Sequence, residues 1–498
     1  MSQVSVRRFA IIGSLLLFAF VEISCVIQQN PVSGRNRVFG YSWNQELELG
    51  KQADKEISEF YGVYEDEQLD AYITDIGEEL LTHSHMRRED AQDRFRETEF
   101  EFRVLDSEVV NAFALPGGYN YVTRGMLAHM ENEAQLAMVL GHEIGHVAAR
   151  HASQRAARQQ AGQILLIGGA VLGQELLGLP GQDLLQLGSA AAQLVFLSYS
   201  RSNEREADRL GVEYAAMAGY KSDEGAGFFV TMKRLTERAG AGLPNILSSH
   251  PDPGNRERDI KRMAEEWREK GYEQNEVGRD RLFDHIDGMI WGVDPRKGLI
   301  EDERYYHPDN EFTFPLPSGW KSMKQRNQVL AHTEDQEAVM LFEPSSAETE
   351  EEAIRRITNQ DGMQQVDLEE DPRSDIGAWR GTALVESDGT MLQLFLYAIK
   401  HEGQVYRFLG VTKADKFENY QSDFVSSGRG FERLTDQQYL DIQPVRVSIE
   451  TVEQETTFEE LLPDELPRGV EAEEIAIMNQ RYLDDTIEEG SRIKMLQE

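Results

Sequence analysis

The spacing of apolar residues sorts the chain into helices and strands before any chemistry is considered. Between residues 45 and 82, Leu47, Ile57 and Tyr61, then Leu69, Tyr72, Ile73, Ile76 and Leu80, recur at helical intervals and predict two amphipathic helices. At Phe100, Phe102 and Val104 the period drops to two against Glu99, Glu101 and Arg103, so a strand with one buried face begins there. The apolar stretch 109–123 is interrupted by Pro116-Gly117-Gly118, a turn-forming cluster that predicts a hairpin or a sharply cornered strand. From Glu131 to about Gln159 there is no proline and Ala, Leu, Met, Gln and Arg dominate, which predicts one long helix.

Farther on, the apolar stretch 164–179 is too short for a comfortable membrane span and contains Gln174 and Glu175, so it reads as a buried or lid-like helix. A charged helix starts near Ser202. The texture changes at Asp294-Pro295-Arg296-Lys297-Gly298, and Phe312-Thr313-Phe314-Pro315 opens a strand-rich section. There, residues 392–399 and 405–411, joined through Glu402-Gly403, carry a hairpin signal. Glu348 to Glu352 reads as the solvated start of a helix. The resulting expectation is an α+β protein. A mainly helical domain with a small sheet spans 26–300, an α/β sandwich 305–435, and a small acidic module 440–498.

Composition narrows the class. Of 498 residues, 40% are hydrophobic and 28% charged, a globular balance rather than that of a disordered chain. A formal charge of −37 excludes nucleic acid and anionic lipid headgroups as natural partners. Arg7 and Arg8 followed by the apolar run Phe9 to Val21 read as an export signal, with an uncleaved membrane anchor as the alternative. Cys25 is the sole cysteine and stands where a bacterial lipoprotein signal places its acylated residue, although Glu22 occupies a position usually aliphatic.

The chemistry concentrates in Gly141-His142-Glu143-Ile144-Gly145-His146. Histidines four apart lie one turn apart on one helix face, so both imidazoles reach a single ion, and imidazole suits zinc. Glu143, beside the first histidine, is placed to take a proton from a zinc-activated water. Gly141 and Gly145 each cost a helix about 1 kcal/mol relative to alanine, which implies a close approach, expected against the sheet. His151, nine residues beyond His142, falls on the opposite side of a continuous helix and reads as exposed or capping. A third ligand is better drawn from Glu204-Arg205-Glu206-Ala207-Asp208, where Glu204 and Asp208 share a face. One of these carboxylates can bind the metal while the other orients a histidine.

Taken together, His142-Glu143-x-x-His146 and Glu204-x-x-Ala207-Asp208 resemble the gluzincin-type zinc metallopeptidase family that includes the CAAX prenyl endopeptidases, HtpX and BepA, across roughly residues 40–265. The resemblance implies one Zn2+ held by His142, His146 and Glu204, with Asp208 behind a ligand and Glu143 as the catalytic base. It also implies that Asn111–Gly118 is the edge strand beside the active-site helix, where an extended substrate backbone could pair; a plain core strand is the alternative. Ser248-Ser249-His250-Pro251 is similar to a family loop whose histidine approaches the metal, so His250 is expected either as a fourth, inhibitory ligand or as an oxyanion donor, with Arg256 near the same pocket.

The implied activity is hydrolysis of polypeptides, with misfolded envelope proteins of the bacterial periplasm as substrates. In the C-terminal tail, Thr456-Thr457-Phe458, Ile477-Met478-Asn479 and Ser491-Arg492-Ile493-Lys494 are similar to a LysM module, implying peptidoglycan contact; a purely structural βααβ unit is the alternative. The rival function is an envelope-binding chaperone or scaffold whose zinc site is closed and regulated.

Overall fold

The computed structural model describes residues 25–167, 199–239, 250, 255–372, 377–387 and 389–498. The export signal expected upstream of Cys25 and all but the start of the apolar stretch 164–179 lie outside them. Two compact units result, one from the residues up to Gly292 together with Val445–Gln497, the other from Val293–Pro444. No helix among the described residues is long and apolar enough to cross a membrane. The α+β class expected from the sequence is borne out.

In the first unit the two expected amphipathic helices are α1 (Trp43–Tyr61) and α2 (Glu67–Thr82). Ser42 and Gln45 close a capping box on α1, and Asp66 accepts from the backbone of Gln68 and Leu69 at the start of α2, so both helices begin where side chains satisfy their first amides. Strands β3 to β5 follow the short hairpin β1 (Val26–Gln29) and β2 (Asn36–Phe39). They are Glu101–Leu105 (β3), Ala112–Leu115 (β4) and Tyr119–Thr123 (β5), in the order β3-β5-β4. The predicted hairpin is the antiparallel β4–β5 pair, and its turn uses Gly117 and Gly118 at φ 89° and 108°, a region open to glycine. β4 is an edge strand, yet all four of its residues are buried.

The long helix expected from Glu131 to Gln159 is two helices. α3 (Glu133–Ala148) starts at an Asn132 cap and is buried along its whole length; α4 (His151–Ile167) follows after Arg150, whose φ of 58° breaks the helical path. A non-glycine residue tolerates this conformation only when its surroundings hold it. Here the buried Arg150 guanidinium is gripped by Glu46 Oε1 (2.9 Å from Nε), Gln28 Oε1 (2.9 Å) and the Tyr41 carbonyl (2.9 Å), and it lies over the Phe39 ring at 3.8 Å. The first unit also contains α5 (Arg201–Met217), α6 (Gly225–Ala239), α7 (Arg256–Glu269) and α8 (Arg279–Ile286).

The C-terminal segment, expected as a module of its own, shares the first unit's core. Its strands Arg446–Thr451 and Arg492–Gln497 pair antiparallel around the helices Phe458–Leu461 and Ala472–Met478, a βααβ arrangement. Val447, Phe458, Ile475 and Met495 belong to the same apolar cluster as Leu69, Met126 and Phe283. The fully buried Lys494 ammonium donates to the carbonyls of Ala128 (3.0 Å) and Met130 (2.7 Å), just ahead of α3. So small a segment encloses little surface alone, and burying its apolar face here satisfies both partners.

The second unit holds a four-stranded sheet of Leu299–Glu301 (β6), Arg304–His307 (β7), Phe312–Pro315 (β8) and the short strand Glu432–Arg433. Beside it is a seven-stranded antiparallel sheet built from Lys321–Gln325 (β9), Gln328–His332 (β10), Ala338–Ser345 (β11), Met363–Glu370 (β12), Ala378–Ser387 (β13), Thr390–His401 (β14) and Gln404–Lys413 (β15). Its order is β12-β13-β14-β15-β11-β10-β9. The predicted hairpin is β14–β15, turning at Glu402 and Gly403 with φ of 47° and 87°. Phe312, Phe314, Phe342, Phe408 and Phe424 meet in its core.

Candidate active site

Three glycines set the site. A Cβ on Gly141 would lie 3.1 Å from the Gly211 carbonyl, one on Gly145 3.0 Å from Leu210 Cβ, and one on Gly211 2.9 Å from His142 N. The close approach implied by the motif glycines is therefore made against α5 rather than against the sheet. Backbone contact between α3 and α5 offsets the roughly 1 kcal/mol that each glycine costs its helix, and it carries Glu204 and Asp208 to the histidine face of α3.

Four side chains converge there. His146 Nε2 lies 3.0 Å from His142 Nε2, His250 Nδ1 lies 3.3 Å from both His142 Nε2 and Glu204 Oε2, and the Glu204 oxygens lie 3.5 Å from the Nε2 atoms of His142 and His146. All four residues are buried, with one ligand atom of each inside a 4.8 Å span. A tetrahedral zinc with bonds of ~2.0–2.1 Å places its donors about 3.3–3.4 Å apart, so this set has the size and the N/O chemistry for one zinc ion. Glu143 Oε2, Glu204 Oε1 and His250 Nε2 are buried without a hydrogen-bond partner, as expected of atoms that face an ion or a water.

The surroundings are charged. Asp208 Oδ1 lies 2.9 Å from His142 Nδ1 and accepts from Arg256 Nε at 3.0 Å; Arg256, at the start of α7, stacks on Phe229 at 4.0 Å. Burial alone would depress the His142 pKa, but hydrogen bonds to Asp208 and Glu204 outweigh it and lift the ring to about 9. The negative environment that favours a proton there favours a metal cation at Nε2 equally. Burial raises the Glu143 carboxyl, against the pull of His250 and His142. Burial also acts to raise Glu204 and Asp208, yet His250 beside the first and Arg256 beside the second hold both below the ordinary range.

All of the singled-out residues His142, Glu143, His146, Glu204, Asp208, His250 and Arg256 meet at this one place; Ser248, Ser249 and Pro251 lie outside the described residues. His151 is a correction. It is fully buried, with Nδ1 3.0 Å from His146 Nδ1 and Nε2 3.2 Å from Glu206 Oε2, because the break at Arg150 turns it back toward α3. Tyr199, whose ring lies 4.0 Å from that of His146 at a tilt of 33°, had no signal in the sequence.

The helix pair brings the His142-Glu143-x-x-His146 motif and the Glu204/Asp208 pair together in the arrangement that the sequence motifs resemble. Residues 67–264 match the model of peptidase family M48, which bears out the resemblance read from the motifs. The chain is similar to the beta-barrel assembly-enhancing protease of Escherichia coli (28% identity, 48% of this chain and 47% of that one). It is also similar to the putative beta-barrel assembly-enhancing protease of Vibrio cholerae (30%, 45% and 45%) and to the mitochondrial metalloendopeptidase OMA1 of Bos taurus (29%, 51% and 48%). The matches thus span about half the length of these relatives.

Proposed function

We propose that the protein is a zinc-dependent endopeptidase that hydrolyses peptide bonds of cell-envelope proteins in quality control. The observation that carries this reading is the convergence of His142, His146, Glu204 and His250 on one point, with Glu143 Oε1 3.6 Å from His250 Nε2. In this reading those three hold one zinc ion and Asp208 orients His142. Bound zinc supplies a Lewis acid that acidifies a water and polarises the scissile carbonyl. Glu143, its pKa raised by burial, takes the water's proton and returns it to the leaving amine. The edge strand β4 pairs with the extended substrate. His250 would serve either as a fourth, inhibitory ligand or as an oxyanion donor.

The relatives' names, two of them tied to β-barrel assembly, support an envelope substrate. Exposed Cys25 supports a lipid anchor in the bacterial periplasm, and the LysM-like motifs support peptidoglycan contact. His250 on the fourth corner also favours a second reading, a chaperone or scaffold with a closed site. Zinc content and cleavage of unfolded casein separate the two. Glu143→Gln is expected to keep one zinc per chain while cleavage falls by about 10²–10⁴-fold. Undiminished cleavage in Glu143→Gln would sink the assignment, and zinc-loaded His250→Ala protein that cleaves nothing would favour the scaffold.

A further inference from the structure

The two histidines of the motif are supported differently. His142 has a carboxylate directly at its back, whereas behind His146 stands another histidine. His146 Nε2 faces His142 Nε2 at 3.0 Å and Glu204 Oε1 at 3.5 Å. To meet a cation there it must carry no proton, which puts the proton on Nδ1. The atom 3.0 Å from that Nδ1 is His151 Nδ1, so one of the pair donates and the other accepts. With His146 donating, His151 keeps its own proton on Nε2, and Nε2 faces Glu206 Oε2 at 3.2 Å. Each tautomer is set by its neighbour, and the run ends on a carboxylate that also has Arg37 Nη1 3.6 Å away.

We propose that His151 and Glu206 are positioning residues for His146: His146 Nδ1–H donates to His151 Nδ1, and His151 Nε2–H donates to Glu206 Oε2, so that a histidine-extended relay does for the second ligand what Asp208 does directly for the first. The inference rests on the zinc-site reading. His151 can take this place only because Arg150 adopts its left-handed conformation; a continuous helix would carry it away from His146. Partners of this kind fix ring orientation and raise ligand basicity, and their loss typically weakens metal affinity by 10–100-fold.

The test is zinc affinity of the full chain, measured by competition with a chromophoric chelator, alongside the thermal midpoint of the zinc-free protein. His151→Phe, close in size but unable to accept, is expected to weaken zinc binding by about 10–100-fold. His151→Gln, with an oxygen to accept and an NH2 to donate, is expected to restore most of it. Should His151→Phe fail to fold, Glu206→Ala probes the relay from its outer end. In double mutants, losses from His151→Phe and Glu206→Ala overlap, while losses from His151→Phe and Asp208→Asn add, because they act on different ligands. Wild-type affinity in a folded His151→Phe protein, or fully additive losses at 151 and 206, would overturn the relay while leaving the zinc site standing. A wild-type chain that binds no zinc would overturn both.

Discussion

Around α3 the first unit encloses Glu46, Glu143, Arg150, Glu204, Asp208 and Arg256, each at most 6% exposed, whereas the centre of the second unit is a cluster of Phe312, Phe314, Phe342, Phe408 and Phe424. A buried charge costs several kcal/mol unless paired, so the first interior is a place where removing one partner strands the other. Trimming a buried ring loses contact area and leaves a cavity, but strands no charge. The contrast separates an interior organised around a site from one organised for packing, and it can be broken by substitution.

The largest stability effect is expected at Arg150→Met. It leaves the Glu46 carboxylate buried and unpaired, at a cost of about 3–5 kcal/mol, and also moves His151. Denaturant unfolding and zinc titration should therefore fall together. Next comes a pH effect at His129, which is buried, hydrogen-bonded to the Gly125 carbonyl at 2.7 Å and held down at about 4 by its burial. Between pH 6.5 and 4 the unfolded chain takes up a proton that the folded one refuses. Stability is lost as pH falls through that window, on the order of 3 kcal/mol from this residue. His129→Gln should flatten that part of the wild-type pH dependence in calorimetry. The smallest effect is expected in the aromatic core: Phe342→Leu should cost about 1–1.5 kcal/mol and leave zinc affinity unchanged. A change in zinc affinity there would dissolve the contrast between the two interiors.

Much of the site could be read from residue order. The four-residue spacing of His142 and His146, and of Glu204 and Asp208, fixes which side chains share a helix face in any context. The caps at Ser42 and Asn132 and the hairpin glycines are local codes of the same kind. What could not be read depends on contacts distant in sequence. The left-handed Arg150 has no local signature, since it is held by Gln28, Tyr41 and Glu46 more than 100 positions upstream; missing it misplaced His151. Gly141 and Gly145 announced a close neighbour without saying that α5 and its own Gly211 were that neighbour. The apolar spacing after Val445 would look the same whether it built a separate core or joined an existing one.

Lys494 gives the chain a sense of time. The carbonyls of Ala128 and Met130, at the turn leading into the HExxH helix, find their ammonium donor 366 and 364 positions downstream. Synthesis runs from the N-terminus, so these two oxygens wait for almost everything described here to be made. The turn leading into the helix that bears the proposed base therefore gains this donor only after residue 494 has been made.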